Sequence, residues 1–170
     1  MDLITALAVS ISVLGAIATY LCLSPIGMGL QIWAVFIAWA TFYHLGGKEA
    51  GFSKTLIHTI FGAIMAWIAL LLVTRIPLGD SLGVPLWAAI CVLITVFILV
   101  YAAKSPMLSD IPAAVLGYAA VVALALAGGK LANLTMVTLD NPFENVVISL
   151  IVGAIFGYIS EKVAGALVKT

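Results

Sequence analysis

One pattern of residues occurs twice in this chain. Ser24-Pro25 leads into an apolar run, then Gly46-Gly47-Lys48, then a second apolar run holding Ile60-Phe61-Gly62-Ala63-Ile64. Ser105-Pro106 leads into an apolar run, then Gly128-Gly129-Lys130, then a run holding Ile151-Val152-Gly153-Ala154-Ile155. Tyr20 stands four residues before the first Ser-Pro, and Tyr101 four before the second. An internal repeat decides architecture before any local feature does, because each copy is one structural unit. The chain is therefore read as a single domain over 1–170, with repeat one at about 3–76 and repeat two at about 84–168.

The solvent of this doubled unit follows from composition. The 170 residues are 65% apolar and 8% charged, whereas soluble domains carry about 25% charged residues. Too few charges are present to wet a surface, so the predicted class is all-α integral membrane, with the lipid bilayer as first partner. At roughly 20 residues per crossing, the length accommodates six transmembrane helices and short loops. Net charge is zero. The basic footprint of a nucleic-acid binder is missing, and no nucleic-acid partner is expected. Cys22 and Cys91 both fall inside apolar runs. They read as packing residues, not as a disulfide framework or metal ligands.

The spans are read as about 3–23, 26–45, 54–74, 84–103, 111–127 and 143–163. The first is taken as a membrane helix and not a signal peptide, because residues 1–5 carry Asp2 and no Lys or Arg. Pro25, Pro112 and Pro142 fit first helical turns, where a missing N–H costs nothing. Gly46 to Gly51 reads as a turn, and Ser53 as the cap of the third helix. Lys48, Lys54, Lys104, Lys162 and Lys169 then fall on one side, and Arg75 and Lys130 on the other. Positive charge stays cytoplasmic, which puts both termini inside. Three spans per repeat is an odd number, so the two repeats must be inverted relative to one another. Lys48 and Lys130 fall on opposite sides accordingly. The expected fold is six transmembrane helices as two inverted three-helix repeats. Such repeats recur in transporters, with the site near the midplane at the repeat interface. Duplication that only builds a stable bundle is the alternative.

At Gly46-Gly47-Lys48, the Gly62-Ala63 helix and the Ile111-Pro112 start of the fifth span, the chain resembles the YcdZ-like family. That family consists of small bacterial inner-membrane proteins and is a domain of unknown function. The resemblance covers most of the chain and implies a multi-pass protein of the bacterial inner membrane. It brings no substrate and no functional residue.

The third helix carries Lys54, His58, Gly62 and Ala66 at intervals of four, so they share one face. The sixth carries Asn145, Ser149, Gly153, Gly157 and Glu161 at the same spacing. The repeat aligns His58 with Ser149 and Lys54 with Asn145. Each third helix thus presents a polar group one turn before a seam of small residues, where Gly153-x-x-x-Gly157 lets backbones approach. Either this is a plain helix contact, or it is a polar path along the repeat interface. Ionisable groups at membrane depth are functional candidates by default. His44 follows Trp39, Phe42 and Tyr43, and reads as a wet histidine beside an interfacial aromatic belt. The hydroxyls of Tyr20 and Tyr101 could satisfy backbone groups freed at the Ser-Pro breaks, or touch a solute. Gln31, Trp33 and Tyr118 could line a site, though Trp and Tyr are also ordinary interface anchors.

An enzyme is not expected. The chain has no His-Glu-x-x-His, no Gly-x-Ser-x-Gly and no pair of membrane carboxylates. No cofactor or metal is called for. Few fixed charges favour a neutral or weakly basic polar solute, urea-like or ammonia-like. The expectation is a small-solute channel or transporter. An accessory or structural membrane protein that packs against a partner, without transport, is the alternative. Stripes of small residues such as Ala8, Ser12 and Ala16, or Ala119, Ala123 and Ala127, exceed what one repeat interface uses. A homo-oligomer is expected from them.

Overall fold

Helices account for nearly all of the regular structure. The computed structural model describes residues 1–168, so Lys169, one of the charges counted above, and Thr170 lie outside the described residues. The helices are α1 (Leu3–Leu23), α2 (Ile32–His44), α3 (Lys48–Arg75), α4 (Gly79–Leu82), α5 (Val84–Tyr101), α6 (Ile111–Leu126) and α7 (Pro142–Leu167). Apart from the single turn of α4, their lengths run 21, 13 and 28 residues and then 18, 16 and 26. Long, short, long occurs twice, in register with the sequence repeat.

Four helices are long and apolar enough to cross a membrane: α1, α3, α5 with its short continuation to Lys104, and α7. The other two, α2 and α6, are apolar but shorter. At 1.5 Å per residue they rise about 20 and 24 Å, against a hydrocarbon core of roughly 30 Å. Six spans of equal standing therefore reduce to four full-length helices and two short ones.

The breaks explain the short helices. Ser24 is extended (φ −87°, ψ 162°), and Pro25–Gly27 form one 3₁₀ turn. Met28 and Gly29 then take left-handed backbone, at φ 49° and 81°. No helix continues through two such residues, so α2 starts at Ile32 and not at 26. The second copy repeats the extended serine and the 3₁₀ turn, without the left-handed pair. Ser105 is extended and Pro106–Leu108 form a 3₁₀ turn. Asp110 then caps α6 by accepting the Ala113 N–H at 2.9 Å.

The start of α3 also differs from expectation. Gly46, Gly47 and Lys48 are left-handed in succession, at φ 90°, 66° and 58°. Glycine tolerates that region at little cost, and lysine does not. Lys48 is held there by Glu161, whose Oε2 accepts its N–H at 2.7 Å. The reversal is complete within those three residues. Gly51 and Ser53 consequently lie inside α3, the first not in a turn and the second not at a cap.

The chain divides into two compact units. One comprises Met1–Leu56 with the segment from Ile148 onward, and the other Ile57–Val147. The first holds α1, α2, the start of α3 and most of α7. The second holds the rest of α3, then α4, α5, α6 and the first turns of α7. Membership thus crosses the repeats: helices one and two of each copy pack with the third helix of the other.

In the first unit, Ala18 and Cys22 of α1 pack with Val35 and Trp39 of α2, flanked by Val152 and Phe156 of α7. Lipid is as apolar as these side chains, so close packing and hydrogen bonds must hold the helices together. In the second unit, the Tyr118 hydroxyl of α6 bonds Thr95 Oγ1 of α5 at 3.0 Å. Thr95 gives its own proton to the Cys91 carbonyl at 2.9 Å, so Tyr118 donates to it. The loop between α6 and α7 is tied down at several points. Asn141 Nδ2 donates to the Leu134 and Met136 carbonyls, and Trp67 Nε1 also donates to Leu134. Arg75 donates to Thr135 Oγ1, and Lys130 pairs with Asp140.

Candidate functional site

The seam of the sixth helix seats on α2. Gln31, Val35, Phe42 and Gly47, in ascending order, meet Ser149, Gly153, Gly157 and Glu161, so α2 and α7 run in the same direction. Ser149 is fully buried, and its Oγ accepts the backbone N–H of Gln31 at 3.0 Å. Gln31 is the residue at the N-cap of α2, where N–H groups lack helical partners. A Cβ at Gly153 would overlap the Val35 carbonyl, and one at Gly157 would stand 2.9 Å from the Phe42 ring. The two backbones therefore touch.

One turn further on lies a group that the spacing of four overlooked. Ser160 is fully buried. Its Oγ donates to the Gly157 carbonyl at 2.7 Å. With that proton committed, its lone pairs accept from Trp39 Nε1 at 2.9 Å and from the Tyr43 hydroxyl at 2.8 Å. The hydroxyl is satisfied on all sides and locks two aromatic residues of α2 onto α7. Reading the seam at three as well as four residues would have included it.

The equivalent seam of α3 seats on α6 within the second unit. A Cβ at Gly62 would overlap the Ala114 carbonyl, and one at Gly117 would overlap the Thr59 carbonyl. The glycines are thus used reciprocally, one from each helix. Ala66 is fully buried, and His58 is 2% exposed one turn before Gly62. Aligned by the repeat, His58 and Ser149 are both buried polar groups one turn before a backbone contact. They belong to different units.

The remaining candidates are placed as follows. Gln31 turns its side chain back on its own segment, with Nε2 donating to the Gly29 carbonyl at 2.7 Å. Its Oε1 accepts from Trp33 Nε1 at 3.1 Å. Tyr118 is buried and committed to Thr95. Tyr20 is 70% exposed, and what it offers the break is its carbonyl, which accepts the Ser24 N–H at 3.0 Å. Tyr101 is also exposed, stacked on Phe97 with Lys104 Nζ 4.1 Å from its ring centre. Three of the cavities among the described residues are lined by other residues. About 600 Å³ lies among Thr74, Arg75, Ala125, Leu126, Leu131 and Leu134. About 430 Å³ lies beside Glu49 and Tyr158, and about 190 Å³ beside Cys22 and Val152. Among the described residues, no three His, Cys, Asp or Glu side chains gather as a metal site requires.

A family model described as protein of unknown function (DUF1097) matches residues 8–165. The chain belongs to that family. Both glycine seams, both short helices and the Ser160 lock of this DUF1097 member fall inside the matched segment. No curated protein and no solved structure matches the chain.

Proposed function

We propose that this DUF1097 chain is a small-solute channel or transporter, passing a neutral or weakly basic polar solute, urea-like or ammonia-like, along the interface between its repeats. The observation that carries the reading is the pair of short apolar helices, α2 and α6, at corresponding positions of the two copies. Each follows a Ser-Pro break, and each packs on the long third helix of the other copy. Short or interrupted apolar segments at matching positions are the best sequence-level pointer to a site in repeat-built transporters. Ser149 within the first unit and His58 within the second are the proposed polar groups, each beside the α2–α7 or α3–α6 seam of its own unit. The reading includes six crossings in inverted repeats, a homo-oligomer, and a bacterial inner membrane as the YcdZ-like resemblance implies. The parallel run of α2 and α7 supports it, since second and sixth crossings of a membrane point the same way.

Topology is tested first. Reporter fusions at Lys48 and Lys130 are expected on opposite sides of the membrane, with both termini cytoplasmic. Both fusions on one side would remove the inverted repeat. Flux is tested in proteoliposomes with urea and with ammonia. His58→Ala is expected to lower flux per folded protein about fivefold, as losing one hydrogen bond of about 1 kcal/mol to the solute would. Unchanged flux with lowered thermal stability would make His58 a packing residue.

One observation favours the second reading, an accessory membrane protein without transport. At Gly62, Gly117 and Gly153 the backbones touch, which leaves no solute-wide gap at those turns. Absence of flux for every neutral or cationic solute, with a partner retained through purification, would decide for it.

A further inference from the structure

A second polar constellation lies where α3 begins and α7 ends, within the first unit, and the transport reading makes no use of it. Glu49 Oε1 accepts from the Tyr158 hydroxyl at 2.8 Å and from Lys162 Nζ at 3.2 Å. Both bonds fall on that one oxygen, and Oε2 takes part in neither. The Lys162 ammonium also stands 5.0 Å from the Tyr158 ring centre. Beside the pair is the cavity of about 430 Å³, lined by Glu49, Phe52, Ser53, Ile155 and Tyr158. The Phe52 and Tyr158 rings are tilted against each other, with centres 5.8 Å apart. The Glu49 and Lys162 side chains remain 72% and 57% exposed, so both reach a ligand.

We propose that this cavity holds the headgroup of an aminophospholipid with a primary ammonium, seated on Glu49 and the two rings with its phosphate on Lys162. Charge complementarity selects the occupant. A carboxylate and an ammonium side by side match a zwitterion whose cation and phosphate are a few bonds apart, and an anionic headgroup would place its charge against Glu49. The carboxylate asks for N–H donors, which a primary ammonium has and a quaternary one lacks. The ring faces add attraction for the cation. The apolar continuation selects lipid over a soluble amine. Ile159, Ile155 and Ile148 lie on one face of α7, at spacings of four and seven, leading from the Lys162 end toward the middle of the span, and all three are exposed. An acyl chain can lie along that row while the headgroup stays at the end of the span.

The test is native mass spectrometry of the full chain in mild detergent. It is supplied with phosphatidylethanolamine, phosphatidylcholine or phosphatidylglycerol of identical acyl chains. The ethanolamine lipid is expected to be retained about tenfold over the choline lipid, as for one charge-assisted hydrogen bond. Glu49→Gln should bring the two level, and Lys162→Ala should weaken both, since they share the phosphate. Equal retention of the ethanolamine and choline lipids by the unmodified chain overturns the proposal, and needs no variant to fold. Preference for the glycerol lipid overturns it as well, leaving Lys162 as a lone cation. Unchanged retention by Glu49→Gln does so too. Soluble phosphoethanolamine should fail to displace the bound lipid. Displacement at equal concentration would show that the acyl row contributes nothing and overturn lipid as the occupant.

Discussion

Gly62→Ala is expected to destabilise the second unit by about 3 kcal/mol, at the upper end of what one added methyl usually costs. The added Cβ would overlap the Ala114 carbonyl, which is backbone and cannot rotate away. Relief requires α3 and α6 to separate, and separation also loosens the Gly117 contact with Thr59. Gly117→Ala and Gly153→Ala should behave alike for the same reason. The control is Gly165→Ala, also within α7, where nothing lies within 4 Å of the new methyl. Adding a methyl there should raise stability by about 0.5–1 kcal/mol, the usual gain over glycine in a helix. Thermal denaturation of the four variants in one detergent checks the whole set. A neutral Gly62→Ala would mean that the α3 and α6 backbones do not touch.

The second large effect is expected at Ser160. Ser160→Ala removes the acceptor of two donors, Trp39 Nε1 and the Tyr43 hydroxyl. Trp39 is 3% exposed, so its N–H is left buried without a partner, a cost of about 1–3 kcal/mol. Tyr43 is half-buried and can recover a partner at lower cost. The sum expected is about 2–3 kcal/mol, together with a change in Trp39 fluorescence. Ser12→Ala provides the comparison. Ser12 is exposed, and its hydroxyl bonds only the Val9 carbonyl of its own helix, so its loss should be close to neutral. Equal stability of both variants would show that Ser160 does not lock α2 to α7.

Both expectations rest on contacts that no single stretch of sequence announces. What was legible is local. Runs of apolar residues give helices in lipid, because only a helix satisfies its own backbone there. Ser24-Pro25 and Ser105-Pro106 end helices, because proline lacks the N–H and restricts the residue before it. The spacing of four put Gly62 and Ala66 on one face, and Ser149, Gly153 and Gly157 on another, and the structure keeps both faces. The shortness of α2 was legible only in part, in Gly29, which suits left-handed backbone. It depends also on the left-handed Met28, a residue with no sequence preference for that region. The early start of α3 was hidden likewise. It depends on Glu161, more than a hundred residues away, accepting the N–H of Lys48.

By itself, the sequence determined a membrane-type helical chain and the faces on which small and polar residues gather. These follow from transfer to lipid, backbone satisfaction and helical periodicity, which act residue by residue. Only the tertiary structure decided which face meets which. The two copies carry nearly the same local signals, so α3 could seat on α2 or on α6 as far as propensity is concerned. The choice is made by backbone approach and by buried donors finding acceptors. Gly153 fits against Val35 and Ser160 under Trp39, so α7 joins α2. Gly62 and Gly117 fit each other's helices, so α3 joins α6. Those terms exist only once two surfaces are within ångströms of each other, and that is why pairing across the repeats lay beyond the reach of the sequence.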